Sequence, residues 1–159
     1  MPLLLTGSVA NPLSLSAADL AALPAAAQIA DVSRLDPKRA GRAVKLSALL
    51  ELAQPNADAQ YLTLHADRDD FHASLPLAAI RDRAVVIYEL NAAPLPEKAG
   101  SPYRFLIPDH AACHTAEIDD CANVKYVARL ELSATRGHDN RPLEDQAHEE
   151  LHRRQAEQS

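Results

Sequence analysis

The run AVVIYEL, Ala84–Leu90, restricts the fold more than any other stretch of the chain. It joins β-branched and aromatic side chains without interruption and ends at the turn residues of NAAP. Such a run reads as a strand, expected to be central and buried. Further strands are expected at LLLTGSV, AQIADVS, AQYLTLHA, FHASL, YRFLIP and VKYVARLELS. Helices are sparser. In SLSAADLAALP, Ser16 can cap a short helix, Asp19 sits in its first turn and Pro24 stops it. VKLSALLELAQ carries Leu46, Leu49, Leu50 and Ala53 at helical spacing, and LAAIRDR has room for one or two turns. RLDPKRAGR, DRDD and NAAPLPEKAGSP read as loops or turns. Short strands interleaved with a few helices predict a mixed α/β (α+β) domain over residues 1–134. Residues 135–159 form a polar linker, TRGHDNRP, and a charged helix or tail.

A length of 159 residues suits one domain with a core of its own. The core must be built from Leu, Ala, Val and Ile, because aromatics are 4% and Trp is absent. A net charge of −6 argues against nucleic acid or an anionic membrane as a partner. MPLLLTGSVANP lacks the basic start and long apolar run of a secretory signal, and it is far short of the roughly 20 apolar residues of a membrane span. A cytoplasmic location is therefore expected, with the two cysteines as thiols or metal ligands.

Beyond these single elements, the order of motifs resembles the molybdopterin-binding domain of sulfite-oxidase-type oxidoreductases. The resemblance rests on Leu5, Gly7, Val9 and Pro12; on Val44, Leu46, Leu49 and Leu50; and on Asn91, Pro94 and Leu95. Gly100, Pro102, Arg104 and Pro108 continue the series, and Val124 and Lys125 close it. It extends over about residues 3–134, and its strength lies in the collinear set. The resemblance implies that family's fold, with many short strands in mixed sheets. It also implies an oxidoreductase-like, redox-linked or cofactor-binding role with a redox partner protein. Arg104 and Lys125 would then meet the anionic pterin phosphate. The family's molybdenum ligand is a cysteine in the segment corresponding to DVSRLDP, where this chain has Ser33. A hydroxyl is a poor substitute for a soft thiolate, so little or no molybdenum is expected, and catalytic competence does not follow from the fold. The family's Asp-Gly-Tyr turn is replaced by Asp69-Asp70-Phe71. The loops at 34–43, 67–72 and 109–123 are expected around a shared pocket.

Two other constellations carry chemistry. DHAACHTAEIDDC holds His110, Cys113, His114 and Cys121, a donor set suited to zinc or iron. On a straight helix His110 and Cys121 would be about 16 Å apart, so a single metal requires a bend. HAACH also resembles half of a c-type haem attachment, with Cys113 as the thioether and His114 as the axial ligand. A non-enzymatic metal- or haem-binding module is thus a second function class, and an interaction domain keeping only the scaffold is a third. HEELH, His148–His152, matches the helical zinc-peptidase pattern with Glu149 as base. It sits on a charged helix whose apolar stripe is only Leu143, Ala147 and Leu151, so a solvated helix face is expected there. No nucleophile elbow or phosphate-cradling glycine loop occurs.

Overall fold

The computed structural model describes residues 1–68, 70–108 and 123–141. Two sheets form the body. The first has the order β2-β1-β10-β5-β6, with β1 (Leu3–Gly7), β2 (Leu13–Leu15), β5 (Tyr61–Ala66), β6 (His72–Pro76) and β10 (Val127–Ser133). β1 and β10 run parallel, and the other neighbours in that sheet are antiparallel. The second has the order β3-β4-β7-β8, with β9 also on β7. Its strands are β3 (Gln28–Ile29), β4 (Arg42–Lys45), β7 (Val85–Leu90), β8 (Ala93–Pro94) and β9 (Arg104–Leu106). All pairs in the second sheet are antiparallel.

β7 explains its own sequence. Val86 and Tyr88 belong to the main core, together with Leu5, Leu64, Leu130 and Phe105. Val85 and Ile87, on the alternate face, join a second cluster with Val32, Ala43, Leu95 and Leu106. Both faces of the strand are covered, so its apolar run does not alternate with polar residues. Each fully buried Leu or Val of this kind contributes about 1.5–3 kcal/mol relative to an exposed one. The buried Tyr88 hydroxyl of this strand has a partner: it donates to Gln28 Oε1 at 2.8 Å.

α1 (Ala17–Ala21) is closed by a capping box in which the Asp19 N–H donates to Ser16 Oγ and the Ser16 N–H to Asp19 Oδ2. α2 (Leu46–Ala53) buries Leu46, Leu49, Leu50 and Ala53, the four residues whose spacing predicts it. α3 (Leu77–Ile80) is a single turn.

Four strands, β2, β3, β4 and β8, differ from the sequence expectation. AQIADVS is strand only at Gln28–Ile29, because Asp31 caps a 3-10 turn over Val32–Arg34 by accepting the Ser33 N–H. The loop RLDPKRAGR yields its last residue to β4, and Val44 and Lys45 also lie in that strand rather than in α2. β2 and β8, of three and two residues, are too short to leave a periodic signal. Among the described residues no helix is long and apolar enough to cross a membrane.

Candidate functional site

The structure places a cationic pocket on the second cluster's side of β7. Its cavity is about 170 Å³ and is lined by Lys38, Arg39, Ala40, Ile87, Leu90, Ala99 and Arg104. Three of these are cations and none is an acid, in a chain whose net charge is −6. Clustered positive charge beside apolar walls focuses the field on an anion.

One wall is the loop after the Val32–Arg34 turn. Asp36 Oδ1 accepts the Lys38 N–H at 2.9 Å, and the Asp36 carbonyl accepts the Arg39 N–H at 3.0 Å, so the loop is ordered by its own backbone. Gly41 brings it onto the sheet. Its φ is +118°, and its carbonyl accepts the Val32 N–H at 2.9 Å. The Nε atoms of Arg39 and Arg42 are buried without a hydrogen-bond partner among the described residues. A buried guanidinium N–H left in that condition is costly, and an anionic oxygen supplies the acceptor it lacks.

The opposite wall holds Arg104, one of the two cations that the family resemblance nominates, and the other, Lys125, lies next to it outside the lining. Arg104 opens β9, directly opposite Ile87 on β7, and is 8% exposed. Lys125 comes alongside it because residues 123–127 run against 100–107. Gly100 and Tyr103 carbonyls accept from Tyr126 and Val127 at 3.0 and 2.8 Å, and Val124 accepts from Phe105 at 2.9 Å. Asn123 Oδ1 accepts the Ile107 N–H at 2.7 Å. Gly100, at φ +107°, fills the space between the two cations: a Cβ there would stand 3.3 Å from Lys125 Cβ and 3.5 Å from Arg104 Cβ.

Ser33 lies in the 3-10 turn before the cationic loop and is exposed. Its hydroxyl donates to Asp31 Oδ1 at 2.5 Å, and the Ser33 N–H donates to the same oxygen at 3.0 Å. These bonds hold the Asp31 carboxyl below its ordinary value. The hydroxyl is therefore engaged by a carboxylate acceptor.

The sequence reading thus nominates Arg104, which lines the pocket, and Lys125, which stands beside Arg104. It does not single out Lys38 and Arg39, whose signal was two adjacent cations between Asp36-Pro37 and Gly41. Of the three loops expected around one pocket, 34–43 supplies lining residues, whereas 67–72 supplies none to this cavity. His110, Cys113, His114 and Cys121 lie outside the described residues, as do His148, Glu149 and His152. Among the described residues no group of three or more His, Cys, Asp or Glu side chains is placed to hold a metal ion.

A mixed α+β fold of this kind, with its strands in two sheets and few helices, is the fold of sulfite-oxidase-type domains. The family model described as "Oxidoreductase molybdopterin binding domain" matches residues 42–140, and the chain belongs to that family. The fold resembles the crystal structure of the sulfane dehydrogenase SoxCD from Paracoccus pantotrophus, with a TM-score of 0.62 at 21% identity. The match covers 85% of this chain and 38% of that one, so this chain spans well under half of its neighbour's length. No curated protein matches the chain.

The residues present suit one end of a molybdopterin better than the other. The cationic lining and the Arg39 Nε, which has no partner among the described residues, fit an anionic phosphate. Ser33, a hard oxygen donor bonded to Asp31, does not fit a metal that is held elsewhere in the family by a thiolate.

Proposed function

We propose that this oxidoreductase-like domain binds the molybdopterin through its phosphate at the pocket of Lys38, Arg39 and Arg104, with Lys125 adding positive charge beside Arg104. The observation that carries the reading is the buried Arg39 Nε, without a hydrogen-bond partner among the described residues, in a pocket lined by three cations. Charge-assisted bonds from guanidinium groups to phosphate are the strong class of hydrogen bond. Bound pterin supplies redox chemistry when it carries molybdenum. In this chain the metal is held weakly or not at all, because the position of the family's thiolate is Ser33. A redox role with an electron partner protein is part of the same proposal, and it accords with the family model and with the name of the neighbouring fold, sulfane dehydrogenase.

The test is the pterin and metal content of the full chain purified after growth with excess molybdate. Pterin should be released from the native protein and fall about tenfold or more in Arg39→Gln and Arg104→Gln. Molybdenum should stay far below one atom per chain. Absence of pterin from the native protein would overturn the reading. Zinc, iron or haem in its place, lost in Cys113→Ser or His114→Ala, would move the function to the Cys/His segment.

A further inference from the structure

A second polar cluster lies on the first sheet. His65 on β5 and His72 on β6 are direct cross-strand partners, and their Nδ1 atoms are 2.8 Å apart. The outer nitrogen of each ring meets a carboxylate: His65 Nε2 contacts Glu131 Oε1 at 2.9 Å, and His72 Nε2 contacts Asp70 Oδ1 at 2.8 Å.

The protons of this chain of contacts can be counted. An ionised carboxylate only accepts, so both Nε2 atoms carry a proton. Between the two Nδ1 atoms there is room for one more. Three protons on four ring nitrogens make one neutral imidazole and one imidazolium. With one proton fewer, two lone pairs face each other at 2.8 Å; with one more, two N–H groups collide. The contact therefore belongs to a single charge state. Burial lowers the proton affinity of His65, despite its bond to Glu131.

His72 is also where the segment after β10 is fastened. The His138 ring stacks on His72 with centroids 4.2 Å apart. The Asn140 N–H donates to the His72 carbonyl at 3.0 Å, and Asn140 Oδ1 accepts the His72 N–H at 2.9 Å. Asn140 Nδ2 donates to the Asp70 carbonyl at 2.5 Å. Two residues along, Ser74 binds the same segment through the Gly137 N–H and Asp139 Oδ2.

The charged groups around the pair come from every neighbouring element. β10 contributes Glu131 and Arg129, whose charge opposes protonation of His65. The β5–β6 turn contributes Asp70, while its Arg68 is engaged by Glu97 and Tyr126, and the Asp67 N–H by the Tyr126 carbonyl. The strap contributes His138 and a set in which Asp139 already pairs with Arg136 and Arg141.

We propose that the His65–His72 pair is a single-proton switch, which clamps the 137–141 strap onto the β5–β6 hairpin only while the pair carries one positive charge. Strap attachment then has a bell-shaped pH dependence, released by acid through a second proton and by alkali through loss of the shared one.

The experiment combines ring-nitrogen NMR of the full chain with amide hydrogen exchange at Gly137 and Asn140, from about pH 4 to about pH 9. In the middle of the range one ring should show a bare Nδ1 and the other should be doubly protonated. Protection of the Asn140 amide, corrected for intrinsic exchange, should fall at least about tenfold on each side of the window. His72→Gln should remove the pH dependence of that protection. Asp70→Asn, at an exposed side chain, removes the charge that favours the imidazolium and should move the alkaline limb down by about one unit. Independent titration of the two rings, or Asn140 protection that ignores pH in the native chain, would overturn the proposal. So would an alkaline limb unmoved in Asp70→Asn, the variant that decides the matter if His72→Gln fails to fold.

Discussion

Gly41 stands against the backbone of Glu89: a Cβ added to Gly41 would lie 2.5 Å from the Glu89 carbonyl oxygen and 3.1 Å from Ile87 Cγ2. The contact presses the Lys38–Ala40 loop onto β7 and so closes one wall of the pocket. Gly41→Ala should therefore strain a backbone at φ +118° and push the loop outward. A loss of about 2–3 kcal/mol in urea unfolding is expected, with a parallel loss of bound pterin. Wild-type stability in this variant would show that the loop adapts freely and that the wall is not fixed by Gly41.

The β7–β8 hairpin contains an opposite case. Leu90 pairs with Ala93 across a two-residue loop, Asn91-Ala92, with φ values of +53° and +63°. Both residues sit in the left-handed conformation that a type I′ turn demands, and alanine is poorly suited to it. Ala92→Gly should stabilise the protein by about 0.5–1 kcal/mol, the relief of strain exceeding the added flexibility of the unfolded chain. A lower midpoint in thermal or urea unfolding would contradict this account of the turn.

Asp139 is 4% exposed at its side chain and lies 2.6 Å from the Arg141 guanidinium, itself 5% exposed. Burial pushes the Asp139 carboxyl up, but the Arg141 side-chain bond and the Ser74 and Arg141 backbone bonds outweigh it and hold it below 3.8. Because the folded-state value is the lower one, the unfolded chain takes up the proton first as pH falls. The stability contributed by Asp139 is present above 3.8 and is lost as pH drops through its depressed value. Asp139→Ala should cost on the order of 3 kcal/mol at neutral pH, since it breaks a buried pair, and should flatten the acid limb below that point. Equal acid limbs in the two proteins would sink the assignment.

His65 acts in a different pH window. Its proton affinity is lowered chiefly by burial, so the unfolded chain binds its proton below 6.5 while the folded chain resists it. Stability should decline as pH falls from 6.5 toward the depressed value, well before Asp139 titrates. Urea titrations should show this shallow step in the native protein and not in His65→Gln. Its persistence in the variant would assign it to another group.

The elements differ in how clearly the sequence announces them. β7 and α2 were legible because a covered strand and an amphipathic helix both write their burial into the chain, at Val85–Tyr88 and at Leu46, Leu49, Leu50 and Ala53. β2 and β8 were not, since pairs such as Leu5↔Leu13 and Glu89↔Pro94 are set by tertiary contact alone. At the site, Arg104 and Lys125 were marked by collinear motifs, whereas Lys38 and Arg39 acquire meaning only when Gly41 folds their loop onto Ile87. The His65–His72 pair was equally silent: it depends on β5–β6 register, which places residues seven apart in the chain side by side.

The last prediction concerns the metal position. If Ser33 occupies the place of the family's thiolate, Ser33→Cys should raise molybdenum content above that of the native chain. Asp31 works against this, because its carboxylate accepts from the residue-33 side chain at 2.5 Å and would hold the proton on a thiol placed there. A metal ligand must be the thiolate, and a neighbouring negative charge disfavours that form. The double variant Asp31→Asn/Ser33→Cys should therefore bind more molybdenum than Ser33→Cys, approaching one atom per chain after growth in excess molybdate. Mass spectrometry of metal content, with pterin content measured in the same samples, separates a missing ligand from a missing cofactor. Pterin present with molybdenum no higher in the double variant than in the native chain would show that Ser33 does not stand at the metal position.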